Sequence, residues 1–247
     1  MALPSEQAWQ SRQDLVRSLI AAESARPGSD GLVSLLERVC LALTHHVSAS
    51  GAAVHLMSPD GSDGVAAASS DRCKALVELE FTIGEGPSHD AFSRRKPVLI
   101  PDLRATDGPR WPGYASAAVD AGACAVFAFP LNVGAAGLGV LDLFVDKPGS
   151  LPEDDLAMAL MFAQIATEIL LDGRMTTPEG DLNPDLASAL DYRAEIYQAQ
   201  GMLMVSREVG LAEALVRMRA HAFSEDRPLI EVAHGIIRGR TLTGDDL

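Results

Sequence analysis

The 247-residue chain is long for one small domain and suits two modest ones, and its 47% hydrophobic content can fill a sizeable core. A formal net charge of −14 argues against generic, charge-driven binding to nucleic acid or membrane, while leaving room for a local, shape-specific site. The three cysteines, Cys40, Cys73 and Cys124, are odd in number and far apart, which excludes a disulfide framework and a CxxC motif.

The N-terminal stretch "MALPSEQAWQSRQDL" lacks the basic and apolar regions of a signal peptide, and no apolar run is read as reaching the ~18 residues of a membrane span. The expected location is therefore cytoplasmic. Residues 1–30 read as a lead-in helix broken at "RPGSDG". In "GLVSLLERVCLALTHHVS" (31–48), Leu32, Leu35, Leu36, Val39 and Leu43 recur at helical spacing with one buried face. "AAVHLM" (52–57) and "GVAAAS" (64–69) flank a polar turn and read as a hairpin. "PVLI" (97–100), "CAVFAFPL" (124–131) and "LGVLDLFV" (138–145) are further strands, the last two joined by "NVGAAG". In "LGVLDLFV", Val140 and Phe144 alternate around Asp142, while Leu141, Leu143 and Val145 form the other face, so the spacing predicts a central strand covered on both sides.

Ser150-Leu-Pro-Glu153 reads as a capping box with proline in the first turn, opening a helix of about twenty residues that Gly173 stops. Glu153, Asp154 and Asp155 sit where the helix dipole favours negative charge, not in a metal site. Residues 173–185, rich in Gly, Pro, Thr and Asp, read as a linker. Beyond it lie helical segments at about 185–206, 211–223 and 228–239, with no strand signal. The fold class is thus α+β followed by an all-α tail.

Leu182, Leu186, Ala189, Arg193, Ile196, Gln200 and Leu203 alternate at spacings of four and three, a heptad seam with polar residues at two positions. Leu190, Tyr197 and Met204 form a second stripe beside it. The seam faces either a partner chain or the following helices, and spacing alone leaves both open. From residue 193 onward seven arginines stand against eight acids, so almost all of the negative charge lies upstream. Arginine offers a planar fork suited to phosphates and to stacking on unpaired bases.

No catalytic, metal or cofactor site emerges. "SHD" at 88–90 is adjacent in sequence, whereas triads converge in space. Gly84 and Gly86 fit a turn and match no phosphate loop. The histidines show no ligand spacing with the cysteines, and Cys124 reads as a small buried hydrophobe.

"RAEIYQAQGMLM", "AEALVRMRAHAF" and "PLIEVAHGII" together resemble the ANTAR domain, an RNA-binding antiterminator module of bacterial regulators. The family's Arg-x-x-Ile-x-x-Ala-Lys-Gly-x-Leu-Met run is matched by Arg193, Ile196, Ala199, Gln200, Gly201, Leu203 and Met204, with Gln200 replacing the usual lysine. Its second and third helices are matched by Met218, Arg219 and Ala222 and by Val232-Ala233. "FTIGEGPSHDAF", "PVLIPDL", "RWPGYASAAVDAGACAVFAFPL" and "GLGVLDLF" resemble a GAF domain, a small-molecule-sensing α+β fold with an antiparallel sheet flanked by helices. The combination is similar to GAF domains joined to ANTAR domains in actinobacteria.

The resemblance implies a lead-in at 1–30, a GAF sensor at 31–172, a linker at 173–185 and a three-helix ANTAR domain at 186–247. It implies a signal-responsive regulator whose paired ANTAR domains bind stem-loops in nascent RNA and promote antitermination. The implied RNA-facing residues are Arg193, Gln200, Gly201, Arg207, Arg217, Arg219 and His221. The implied homodimer seam is Leu186, Ala189, Ile196 and Leu203, and the sensor pocket falls at Phe81, Gly84, Trp111, Tyr114 and Phe127. Gln200 is open to an RNA-facing or a register-setting role, and Gly201 to close helix packing or close approach of nucleic acid. The alternative is a GAF-type binding protein or enzyme whose tail only dimerises.

Overall fold

The computed structural model describes residues 6–24, 31–57, 63–105, 110–175, 186, 193–225 and 227–239. Helices α1 (Glu6–Ala22) and α2 (Gly31–His46) lead into strands β1 (Gly51–Met57) and β2 (Asp63–Ala68). Then come α3 (Asp71–Ile83), α4 (Pro87–Arg94), β3 (Val98–Ile100), α5 (Pro112–Asp120), β4 (Ala125–Val133), β5 (Ala136–Val145) and α6 (Glu153–Met175). The tail forms α7 (Ala194–Arg207), α8 (Leu211–Ser224) and α9 (Leu229–Ile237).

The strands pair antiparallel in the order β2-β1-β5-β4-β3. β5 is central, as its two apolar faces require. Leu141 and Leu143 face a layer built with α1, α2 and α6, where Val16, Leu36, Leu43 and Phe162 are buried. Val140 and Phe144 face the layer of α3, α4 and α5, with Leu76, Val77, Trp111 and Tyr114. Successive strand residues point to opposite faces, so one strand feeds two cores.

Two details of α6 depart from expectation. The Leu156 N–H donates to Pro152 O at 2.9 Å and the helix opens at Glu153, so Pro152 marks the start in place of Ser150. The helix also continues through Gly173 to Met175. A Cβ at Gly173 would lie 2.3 Å from Leu32 Cδ2, so this glycine lets α2 and α6 approach closely and does not end the helix. By length and mean hydropathy Glu153–Gly173 could also cross a bilayer, contrary to the sequence reading, but half of that stretch is buried inside the fold. Helices α3 and α5 were not anticipated from the sequence. The 58–62 turn and residues 176–185 of the linker lie outside the described residues.

Tail helices α7, α8 and α9 pack around Ile196, Ala199, Leu203, Met218, Leu229 and Val232. Phe81 of α3 belongs to this same cluster, so a sensor-side side chain helps fill the tail's core. Leu186 inserts the other way, into the core beneath α1, α2 and α6. Phe162 is fully buried at the centre of that core. Phe162→Ala is expected to lower unfolding free energy by about 3–5 kcal/mol, measured by urea denaturation.

Candidate functional site

Helix α3 positions most of the site. The Ser70 side chain caps its N-terminus by accepting from Cys73 N, and Gly84, in the left-handed region, ends it. Its buried face carries Cys73, Leu76, Val77, Glu80 and Phe81, a helical stripe with one acid in it. The chain then folds back over Glu80. A Cβ at Gly86 would lie 2.3 Å from Glu80 Cδ, so only glycine passes there. This places the first turn of α4 on the carboxylate, where Ser88 N–H donates to both Glu80 oxygens at 3.2 and 3.1 Å. Ser88 Oγ donates in turn to Asp142 Oδ1 at 2.8 Å.

A second group lies alongside. His55 on β1 pairs through Nε2 with Asp63 at the start of β2. Asp63 also receives Arg193 Nη1, while Arg193 Nη2 bonds Glu78 Oε2 at 3.1 Å. The Arg193 guanidinium lies 3.6 Å from the centroid of the Phe81 ring, a cation–π contact. Tyr197 Oη accepts the Asp63 N–H at 3.0 Å. The first turn of α7 is thereby fastened to β2 and α3. Arg193 is fully buried, the largest such side chain among the described residues.

Several polar atoms in this region are buried without a protein hydrogen-bond partner: His55 Nδ1, His89 Nε2, Tyr114 Oη and Asp142 Oδ2. Such atoms cost free energy unless something satisfies them. Burial pushes the Asp142 carboxyl up to about 6. Burial, with the adjacent Asp142, also holds Glu80 well above the usual range. Burial drives His89 down to about 4. Burial by itself would raise Asp63, but His55 and Arg193 outweigh it and hold that carboxyl low. The cluster therefore presents protonatable carboxyls beside a neutral imidazole.

The residues expected at a sensor pocket do not share one wall. Trp111 and Tyr114 lie in the α3-side core, Phe127 lies on the opposite face of the sheet, and Phe81 faces the tail. Phe127 is separated because Val126 and Ala128, its neighbours along β4, take the α3-side positions. Gly84 borders a cleft between α3, α5 and α8.

The residues expected to face RNA divide as well. Arg193 and Gln200 are buried, and Arg219 packs against Phe81 and Gly84. Gln200 Nε2 donates to Leu211 O at 2.8 Å, tying α7 to the start of α8. Arg207, Arg217 and His221 are partly exposed, and Arg217 Nη2 lies 2.6 Å from Glu213 Oε1. A Cβ added at Gly201 would meet nothing within 4 Å, so packing within the tail does not demand glycine there. Of the expected dimer seam, Ile196 and Leu203 are buried inside the tail and Leu186 inside the sensor core, because these positions hold the protomer together. Ala189 lies outside the described residues.

Sequence reasoning missed His55, Asp63, Glu78, Glu80 and Asp142 as a cluster. The available signal was a polar residue inside an apolar strand or stripe: His55 in "AAVHLM", Asp142 in "LGVLDLFV" and Glu80 in the buried face of α3. Gln200→Ala is expected to destabilise the tail by about 1–2 kcal/mol through loss of the bond to Leu211 O, read by thermal or urea unfolding.

A pH effect also follows. Asp142 has a folded pKa above its unfolded value, so the native state holds the extra proton between about pH 4 and 6, and this group's contribution to stability falls as pH rises through that range. His89, held neutral in the fold, has the opposite slope over the same window. Asp142→Asn should therefore make stability rise more steeply from about pH 4 to 6 than in the wild type, measured by urea unfolding across that range.

A family model described as "GAF domain" matches residues 29–170, more than half of the chain, and one described as "ANTAR domain" matches residues 185–237. No curated protein matches the chain. Among solved structures, the GAF domain from Acinetobacter phosphoenolpyruvate-protein phosphotransferase is 11% identical, covers 71% of this chain and 98% of its own, and superposes with a TM-score of 0.50. A free methionine-R-sulfoxide reductase from Neisseria meningitidis is 15% identical, covers 72% and 98%, and has a TM-score of 0.48. A domain of a two-component sensor histidine kinase protein from Sinorhizobium meliloti is 18% identical, covers 58% and 93%, and has a TM-score of 0.46.

Proposed function

Because the chain belongs to the GAF-domain family and carries an ANTAR domain behind it, we propose that this signal-responsive ANTAR regulator acts by binding RNA. Its GAF domain senses a small molecule, and its ANTAR domain grips paired stem-loops in a nascent transcript, favouring antitermination. It acts by binding and not by catalysis.

The RNA-binding part of this reading rests on the ANTAR match, and its coupling to the sensor rests on the enclosure of Arg193. This residue caps α7 inside the stretch that the ANTAR model matches, yet it sits between Asp63, Glu78 and Phe81 of the sensor. Asp63 in turn holds His55, whose Nδ1 is one of the unpartnered atoms of the buried polar cluster. A ligand that satisfies this cluster changes the charge and hydrogen bonding around the groups that hold Arg193. A conformational change needs this kind of differential interaction with its two states. In the docked arrangement Arg193 is withheld from RNA, and Arg207, Arg217, Arg219 and His221 are partly exposed members of the expected set. Release would add the Arg193 guanidinium, able to contact phosphate or stack on loop bases.

Homodimerisation belongs to the proposal, since a second contact to a two-hairpin RNA becomes intramolecular. The buried seam cannot serve it without opening the protomer. The exposed part of α7, with Gly201, Met202 and Val205, supplies a free face instead.

The test is fluorescence-anisotropy titration of a paired stem-loop RNA against a scrambled hairpin at about 0.1 M salt. The wild type is expected to prefer the paired RNA. Asp63→Asn should tighten that binding several-fold by loosening the hold on Arg193. Arg207→Ala should weaken binding and reduce the salt slope by about one. Equal binding of both RNAs would overturn the RNA reading.

A further inference from the structure

The sensor and the tail enclose an open cleft of about 1040 Å³ between the C-terminal end of α3, α5 and α8. Leu79, Ile83, Ala117, Val216 and Phe223 give it apolar walls. Phe223 is 78% exposed and Val216 60% exposed, so the tail leaves two large apolar side chains uncovered at this edge. Size, apolar lining and position at a domain boundary are those of a small-molecule site.

The charge arrangement is uneven. Phe81 has two guanidinium groups near its ring, Arg193 at 3.6 Å and Arg219 at 5.1 Å from the centroid. Arg193 is neutralised by Asp63 and Glu78. Arg219 lines the cleft, its Nε is buried without an acceptor, and among the described residues no carboxylate forms an ion pair with it. Its Nη1 would lie 2.7 Å from a Cβ at Gly84, so the glycine leaves room for the guanidinium at the cleft wall. The carboxylate of Glu85 also borders the cleft, but its Oε1 already accepts from Gly113 N and Tyr114 N at 2.9 and 3.4 Å, at the start of α5. Arg227 pairs with Glu231. Among the described residues, Arg219 is thus the cation of the lining without an ion-pair partner, beside an apolar hollow whose one carboxylate, Glu85, is held at the start of α5.

We infer that this cleft binds a small monoanion with an apolar body, its charged head on Arg219 and its body against Ile83, Val216 and Phe223. The site is separate from the buried polar cluster and does not depend on RNA binding. Its occupant touches α3 and α5 on one side and α8 on the other, so it binds the docked arrangement and stabilises it by mass action.

The experiment titrates the full chain with 8-anilinonaphthalene-1-sulfonate, an aromatic monoanion, and with its uncharged counterpart N-phenyl-1-naphthylamine, reading probe fluorescence. The wild type is expected to bind the anion saturably at one site and the neutral probe more weakly. Arg219→Gln should weaken anion binding by roughly tenfold or more, the scale of a lost charge-assisted bond. Ala220→Trp fills the cleft, leaves Arg219 in place and should abolish anion binding, and it reads the site even where Arg219→Gln disturbs docking. No saturable binding by the wild type, equal affinity for the two probes, or unchanged anion binding in Ala220→Trp would overturn the inference.

Discussion

The arrangement of this protein depends on one buried cation. Arg193 stands at the N-terminus of α7 in the ANTAR domain and has no exposure, with Asp63, Glu78 and the face of Phe81 as its surroundings. Taking a guanidinium out of water is costly, and the Coulombic return recovers that cost only when the geometry is specific. Such a pair adds little net stability compared with an apolar contact. It does favour an orientation, because in this placement of α7 Arg193 meets two carboxylates and an aromatic face. The relation of the tail to the sensor is therefore set by charge satisfaction, with apolar packing around Phe81 filling in behind it.

The same economy explains why the sensor's two faces differ. The face under α1, α2 and α6 is largely apolar, its helices burying only the small hydroxyls of Ser34 and Thr167 as polar groups among the described residues, and serves as a foundation. The face under α3, α4 and α5 admits His55, Glu80, Ser88 and Asp142 into an otherwise apolar layer. A polar network that is only partly satisfied weakens a core, and in the proposed function a ligand offsets that cost. Asp63 joins this network to Arg193 and is the physical link between sensing and output in the proposed mechanism. Arg219, also near the Phe81 ring, extends the same charge arrangement into the interdomain cleft.

Much of the fold is legible in residue order. The alternation in "LGVLDLFV" gives a central strand with two covered faces, and the apolar spacing of residues 31–48 gives α2. Helix α3 escapes the same reading because Glu80 occupies a position in its buried stripe, so the stripe looks interrupted. The capping box at Ser150 and the stop at Gly173 fail for a related reason. Local signals name plausible helix ends, but the position of Leu32 on a distant helix decides what Gly173 is for. At residues 199–204, the sequence marks Gln200 and Gly201 as unusual within a helix without giving either a partner. The fold supplies Leu211 O for Gln200 and open space beside Gly201.

Periodicity and local propensity are enough to give the class of each half, the strand faces and the spacing that carries both family resemblances. Tertiary structure alone decided which polar residues meet. The His55–Asp63 hairpin pair, Glu80, Asp142 and Arg193 come from well-separated segments, and whether such a group is a solvated surface charge or a buried, costly and informative one depends on contacts that no local pattern encodes. The physical reason is that desolvation and ion pairing are properties of a residue's surroundings in space, and for Arg193 those surroundings lie more than a hundred residues away along the chain.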